Sequence, residues 1–230
     1  MNILIFKPEE LTAGRAEIDG RRLRHIREVI KCSAGSLVRA GVLNGNLGTA
    51  EVESIDEKKA VLRFTEESAA PAAMPLRLAI ALPRPKVLRR VLYAVTCLGV
   101  KHVHVFNSWR VEKSYWGSPL LSGLDHHLVP ALEQAKDTIM PSISFHRFFT
   151  PFIREELPTL SEGSTRLLAH PSDKPFTKPA GRITLAVGPE GGFIQKELDT
   201  FAETGFETFS AGERILNVET AVPFILGKIL

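Results

Sequence analysis

The chain has 230 residues, 44% of them hydrophobic and 24% charged, with a formal net charge of +3 at pH 7. That size suits one large domain or two small ones, and that apolar fraction excludes a disordered chain. Two cysteines, Cys32 and Cys97, exclude a disulfide framework and a cysteine-based zinc module. There is no leader-like N-terminus and no long uncharged apolar run, so a soluble, cytoplasmic protein without a membrane segment is expected.

Residues 1–65 carry short apolar runs separated by turn signals. Strands are expected at 2–6, 37–42, 48–53 and 60–65, with Asn44-Gly45-Asn46 marking a hairpin. Between them, residues 24–31 (RHIREVIK) place Ile26, Val29 and Ile30 at helical spacing, which would turn the basic residues outward. Arg15, Arg21, Arg22, Arg24, Arg27 and Lys31 cluster here around His25. Such a cluster is either a solvated helix face or a surface for an anionic partner. Several short strands with one helix suggest a small β-rich, barrel-like domain. Residues 66–75 (EESAAPAAMP) have no hydrophobic period and read as a linker, giving domains 1–70 and 71–230.

Beyond the linker the pattern changes. Residues 76–82 (LRLAIAL) read as a strand. A helix follows with Val87, Leu88, Val91, Leu92, Val95 and Leu98 on one arc, Gly99 as its stop, and Lys86, Arg89 and Arg90 on the opposite face. Further strands are expected at 103–106, 143–149, 166–169, 183–187 and 206–209. Helices are expected within 120–136 and at 194–203 and 218–230. Strands alternating with helices mean an α/β domain with a largely parallel sheet. In such sheets ligands bind beyond the carboxyl ends of the strands, where three loops stand out: 167–173, 188–192 and 210–217.

The middle loop is Gly-rich. Gly188, Gly191 and Gly192, with Pro189 and Glu190 among them, follow an apolar strand and expose backbone N–H groups that no side chain blocks. No Gly-Lys-Ser/Thr pair and no G-x-G-x-x-G accompanies it, and no carboxylate cluster suited to magnesium, which argues against phosphoryl transfer and dinucleotide binding. Backbone groups with apolar walls suit an adenine ring and a sulfonium better than a triphosphate.

Two motifs in order, V-G-P-E-G-G-F at 187–193 and G-x-R-I-L-x-V-E-T-A at 212–221, resemble the SPOUT superfamily of RNA methyltransferases. Within it they are similar to the RsmE family of 16S rRNA uridine-N3 methyltransferases. His25 with Val29-Ile30-Lys31, Leu98-Gly99-Val100, and Glu133-Gln134 with Pro141 resemble further elements of that family, so the likeness spans nearly the whole chain. The resemblance implies an α/β fold with an N-terminal PUA-like β-barrel that grips RNA and a C-terminal SPOUT domain tied in a trefoil knot. It also implies S-adenosyl-L-methionine as cofactor, 16S rRNA or the small ribosomal subunit as partner, and a homodimer.

The residues it assigns to the cofactor are Leu168, Ala169, His170, Gly188, Pro189, Glu190, Gly191, Gly192, Ser210, Gly212, Ile215, Leu216 and Asn217. Arg21, Arg22, Arg24, His25, Arg27, Lys31, Lys86, Arg89 and Arg110 are the RNA-binding candidates. Methylation at N3 requires that nitrogen to lose its proton, so a cation that stabilises the resulting anion helps. Arg214 is the candidate cation, its alternative being an ion pair with Glu213 or Glu219. Glu219 is the second catalytic candidate, although a carboxylate in the first turn of a helix also complements the helix dipole. Four positions depart from the family pattern: Lys31, Asp137 and Asn217 stand where arginine is usual, and Glu213 where proline is. These leave a second reading, an RNA-binding protein of the same fold that acts in ribosome assembly without methylating.

Overall fold

The computed structural model describes residues 1–230. They form two compact units, Met1–Ala72 with Leu128–Met140, and Ala73–His127 with Pro141–Leu230. No helix is long and apolar enough to cross a membrane.

In the first unit the strands are β1 (Leu4–Phe6), β2 (Leu11–Thr12), β3 (Arg15–Ile18), β4 (Leu37–Val42), β5 (Leu47–Ile55) and β6 (Ala60–Ser68). They form one sheet in the order β1-β4-β5-β6-β3-β2, antiparallel except for the β1–β4 pair. Alternate side chains of β4 turn inward, and Val38 and Ala40 join Leu4, Phe6, Ile18, Ile26 and Leu62 in the core. Gly48 sits at a register shift where a Cβ would lie 2.0 Å from the Thr65 carbonyl oxygen, so only glycine allows β5 and β6 to approach there.

Two sequence expectations change here. The helix expected at 24–31 starts earlier, as α1 (Gly20–Arg24), and widens into a π-type turn over His25–Val29. The Ile30 N–H donates to the His25 carbonyl at 3.1 Å, a bond spanning five residues. That extra residue rotates the stripe off the core, so Ile26 is buried while Val29 and Ile30 are 67% and 48% exposed. The linker is also shorter than expected: residues 66–68 belong to β6, where Glu66 and Ser68 pair with β5 and Glu67 accepts from Arg39 at 2.7 Å.

The second unit contains β7 (Leu76–Ala81), α2 (Pro85–Cys97), β8 (His102–Phe106), the first residues of α3 (Asp125–Ala135), β9 (Ser142–His146) and a helical segment. That segment runs from α4 (Phe149–Pro151) through a second π-type turn to α5 (Leu157–Leu160), where the sequence led us to expect the end of a strand. Next come β10 (Thr165–Ala169), β11 (Ile183–Val187), α6 (Gln195–Glu203), β12 (Glu207–Phe209) and α7 (Val218–Ile229). The sheet order is β12-β10-β11-β7-β8-β9, parallel throughout. All five β11 residues are buried, as expected for a strand covered on both faces. Leu88, Val91, Leu92 and Val95 of α2 are buried, and α2 packs beside α7.

Most of α3 and the turn after it belong with the first unit, not with residues 71–230 as the linker position suggested. Leu132 packs against Ile3, Ile5 and Leu47, and the N–H groups of Asn2 and Ile3 donate to the Glu133 carbonyl at 3.0 and 3.3 Å. Asp137 lies in this turn, buried, its carboxylate accepting the Ile139 N–H at 2.9 Å.

A polar chain crosses β7, β8 and β9. Arg77 donates to His104 Nε2 at 2.8 Å, His104 Nδ1 bonds Ser144 Oγ at 2.7 Å, and Ser144 bonds His146 Nε2 at 2.8 Å. His146 Nδ1 lies 3.1 Å from Glu156. Because Arg77 can only donate, each imidazole accepts at Nε2 and donates at Nδ1, and every bond runs in one direction. Burial, then the Arg77 charge and the neighbouring histidines, push His104 down to about 3, which keeps the ring neutral as this chain requires.

Candidate active site

A cavity of about 350 Å³ opens beyond the carboxyl ends of β10, β11 and β12. These three strands are neighbours in the sheet, so the loops that follow them converge on one space. The walls come from Ala169, His170 and Pro171 after β10, residues 187–193 around the end of β11, and residues 210–216 after β12. Val218, Ala221 and Ile225 of α7 close one side, and Arg110 reaches in from the loop after β8.

The Gly-rich loop owes its shape to close contacts. A Cβ on Gly188 would come within 3.0 Å of the Phe193 ring, and one on Gly191 within 3.1 Å of Arg110 Cδ. The Gly192 N–H donates to the Pro189 carbonyl at 2.8 Å and its φ is +71°, a tight turn that favours glycine. Three tethers hold this loop and the start of α6. The Glu190 carboxylate accepts the Arg84 N–H at 3.1 Å, and Arg110 Nη1 donates to the Gly191 carbonyl at 2.5 Å. The buried Glu197 carboxylate accepts both the Trp109 N–H at 2.8 Å and the Ile194 N–H at 3.0 Å. Beneath the loop, Phe193 stacks on Phe106 at 6.3 Å and meets Phe201 edge-on at 5.1 Å.

The flanking loops are tied in a similar way. The His170 N–H donates to the Phe209 carbonyl at 3.1 Å, and burial lowers the imidazole pKa below its ordinary value. The Ser210 N–H donates to the Lys174 carbonyl at 2.7 Å, and Ser210 Oγ donates to the Gly212 carbonyl at 2.8 Å. Asn217 caps α7, its side-chain oxygen accepting the Thr220 N–H at 2.9 Å. Arg214 is exposed at the cavity wall and forms no ion pair with Glu213 or Glu219. Glu219 is held instead by Arg90 at 3.0 Å.

Of the residues expected at the cofactor, Ala169, His170, Gly188, Pro189, Glu190, Gly191, Gly192, Ser210, Gly212, Ile215 and Leu216 line the cavity. Leu168 does not, because it is buried inside β10, and Asn217 does not, because it is spent on the cap. Glu219 also stands off the wall, turned to Arg90. Phe193, Val218, Ala221 and Ile225 line it and were not assigned to it from sequence. For Val218, Ala221 and Ile225 the apolar spacing along α7 was the available signal, but it does not distinguish core from cavity wall; Phe193 ends the Gly-rich motif itself.

The basic candidates separate into engaged and unengaged groups. Arg22 is a correction: its side chain is only 18% exposed, it grips Glu10 with both terminal nitrogens at 2.7 and 2.8 Å, and it donates to the Ile5 carbonyl. This pairing holds the Glu10 carboxyl below its usual range. Arg21 pairs with the buried Glu133 at 2.8 Å. Arg110 belongs to the cavity, and Arg27 makes only an exposed 3.4 Å pair with Glu28. Arg24, Lys31, Lys86 and Arg89 are exposed and form no ion pair.

Residues 70–230 match the family model described as an RNA methyltransferase domain. The ribosomal RNA small subunit methyltransferase E of Treponema pallidum is 32% identical over 96% of this chain and 87% of its own length. The chain belongs to the ribosomal RNA small subunit methyltransferase E family. A second relative in that family, methyltransferase E 1 of Borreliella burgdorferi, is 24% identical over 96% of this chain and 94% of its own. Among solved structures, the family member from Neisseria gonorrhoeae bound to S-adenosyl methionine aligns over 100% of this chain and 96% of its own. Its TM-score is 0.78 at 20% identity, a likeness of fold.

Proposed function

We propose that this chain is an S-adenosylmethionine-dependent methyltransferase that modifies N3 of a uridine in small-subunit (16S) ribosomal RNA. It acts in the cytoplasm as a homodimer. The reading takes residues 1–70, with Leu128–Met140 joined to them, as a PUA-like RNA-binding barrel and the rest of residues 71–230 as a SPOUT domain with a trefoil knot. Arg24, His25, Arg27, Lys31, Lys86 and Arg89 are its RNA-contacting set, without Arg21 and Arg22, whose charges are committed to Glu133 and Glu10, and without Arg110, which holds the Gly191 carbonyl at the cavity.

The observation that carries it is the cavity at the ends of three neighbouring parallel strands, with an unpaired arginine on its wall. The residues present suit the cofactor. Val187, Phe193, Leu216 and Val218 offer apolar contact to an adenine ring, and the glycine loops offer backbone groups for its edge and for the ribose. A neutral His170 adds no positive charge beside a sulfonium. When bound, the cofactor supplies a methyl group on that sulfonium, an electrophile. Arg214 donates to a carbonyl oxygen of the target uracil and stabilises the anion left when the N3 proton passes to water. Glu219 holds Arg90, at the base of the loop that carries Arg214.

The departures at 137 and 217 fit this reading without loss of activity. Asp137 closes a buried turn and Asn217 caps a helix, so both substitutions serve the fold. Calorimetry with S-adenosylmethionine tests the proposal. The expected result is one saturable site per chain; no binding at millimolar cofactor, with the protein folded by circular dichroism, contradicts it.

A further inference from the structure

The loops after β8 and β9 leave the same carboxyl edge of the parallel sheet as the cavity loops, and they carry aromatic side chains that the cavity does not use. Trp109 is 79% exposed and Phe148 is 73% exposed. Between these loops lies a groove of about 380 Å³ whose walls include Trp116, Pro119, Leu121, Phe145 and Arg147. The Trp116 indole N–H donates to Asn107 Oδ1 at 3.1 Å, which fixes the ring, and Phe145 meets it edge-on at 6.4 Å. The Arg147 guanidinium lies 5.4 Å from the indole centroid, a cation–π contact. No carboxylate lines the groove, and Arg147 forms no ion pair or hydrogen bond there, so its donors remain open.

A fixed indole with an arginine lying over its ring, whose donors are open, matches what an unpaired nucleotide offers. A base has a π-face to stack, and its phosphate accepts a planar cation's donors in pairs. The lack of acidic residues in the groove favours a polyanion over a basic or neutral partner.

We propose that this groove is a subsite for one unpaired base of the RNA substrate, seated against Trp116 with Arg147 on the adjoining phosphate. It rests on the reading of the chain as an RNA methyltransferase and adds where the RNA is recognised apart from the methylated base. The groove selects single-stranded RNA, because a base held in a duplex cannot present its face to the indole.

The chain has two tryptophans, so Trp109→Phe leaves Trp116 as the single indole reporter. In that background, single-stranded oligouridylate is expected to quench Trp116 fluorescence saturably, and a duplex of equal length to leave it unchanged. Arg147→Ala, an exposed change that the fold tolerates, is expected to raise the KM for small ribosomal subunits at least about fivefold. Its kcat and its affinity for S-adenosylmethionine stay at the wild-type level. Quenching together with the raised KM supports the subsite. If the wild-type protein methylates subunits while Trp116 is not quenched and the Arg147→Ala KM is unchanged, the subsite is wrong and the function stands. If the wild-type protein neither binds RNA nor transfers methyl groups, both are wrong. Conversion of a dimer to a monomer by Arg147→Ala, seen in sedimentation, assigns the groove to a second copy of the chain and overturns the proposal.

Discussion

Replacing Arg214 by alanine is expected to lower kcat for methyl transfer by about a hundredfold or more, the usual loss when a group that stabilises developing negative charge is removed. The affinity for S-adenosylmethionine is expected to change by less than about threefold, because the interaction is made with the RNA base. The structural grounds are that Arg214 is exposed, lines the cavity and has no ionic partner, so neither the fold nor the loop depends on it. Its melting temperature is therefore expected to match the wild type, as for most surface substitutions. Lysine at this position keeps the charge but loses the planar pair of donors, and is expected to restore only part of the rate. Steady-state kinetics with small subunits, beside calorimetry with the cofactor, separate the possibilities. Lost cofactor affinity with an unchanged kcat would make Arg214 part of the cofactor wall.

Phe193→Ala is expected to reduce both stability and cofactor binding. The ring is buried, stacks on Phe106, meets Phe201 and covers the backbone at Gly188, where a Cβ would come within 3.0 Å of it. Truncating a buried phenylalanine leaves a void that costs about 3–5 kcal/mol. The loss here falls beneath the Gly-rich loop, so residues 188–192 lose the surface that shapes them. Affinity for S-adenosylmethionine is then expected to fall at least about tenfold, equivalent to about 1.4 kcal/mol spent on reordering the loop. Phe193→Leu, which refills most of the volume, is expected to recover most of both losses. Denaturant unfolding and calorimetry read the two effects separately. A destabilised variant with unaltered cofactor affinity would mean that the loop keeps its shape through Arg84, Arg110 and Glu197 alone.

Much of the parallel sheet was legible because its strands are covered on both faces and read as short continuous apolar runs. Residues 183–187 match β11 at both ends, and the stripe on α2 was visible from its spacing. The cavity loops were legible as loops after strands, and the paired motifs tied two of them together. Their convergence on one cofactor was legible only through the family resemblance, because in the fold it depends on β10 lying between β12 and β11, a pairing of distant segments.

Other elements were hidden for local reasons. The β2–β3 hairpin is short, and its turn places Ala13, a residue with a side chain, at φ +49° before Gly14. Pro151 and Pro158 mask the helical segment from 149 to 160, although Pro151 is only the third residue of that segment and Pro158 lies in the first turn of α5. The basic run at 15–31 looked uniform in sequence, yet Glu10, Glu53 and Glu133 engage three of its arginines. Charge counts cannot distinguish an arginine that meets RNA from one that holds its own chain together. Arg110 illustrates this most sharply: grouped with the RNA-binding residues from sequence, it is found gripping the Gly191 carbonyl.

The central claim is tested most directly by incubating the purified protein with methyl-labelled S-adenosylmethionine and small ribosomal subunits, then digesting the RNA and identifying the labelled nucleoside by mass spectrometry. The account predicts one label per subunit, recovered as 3-methyluridine. Label on another base, on another atom of uridine, or on no RNA at all would contradict it.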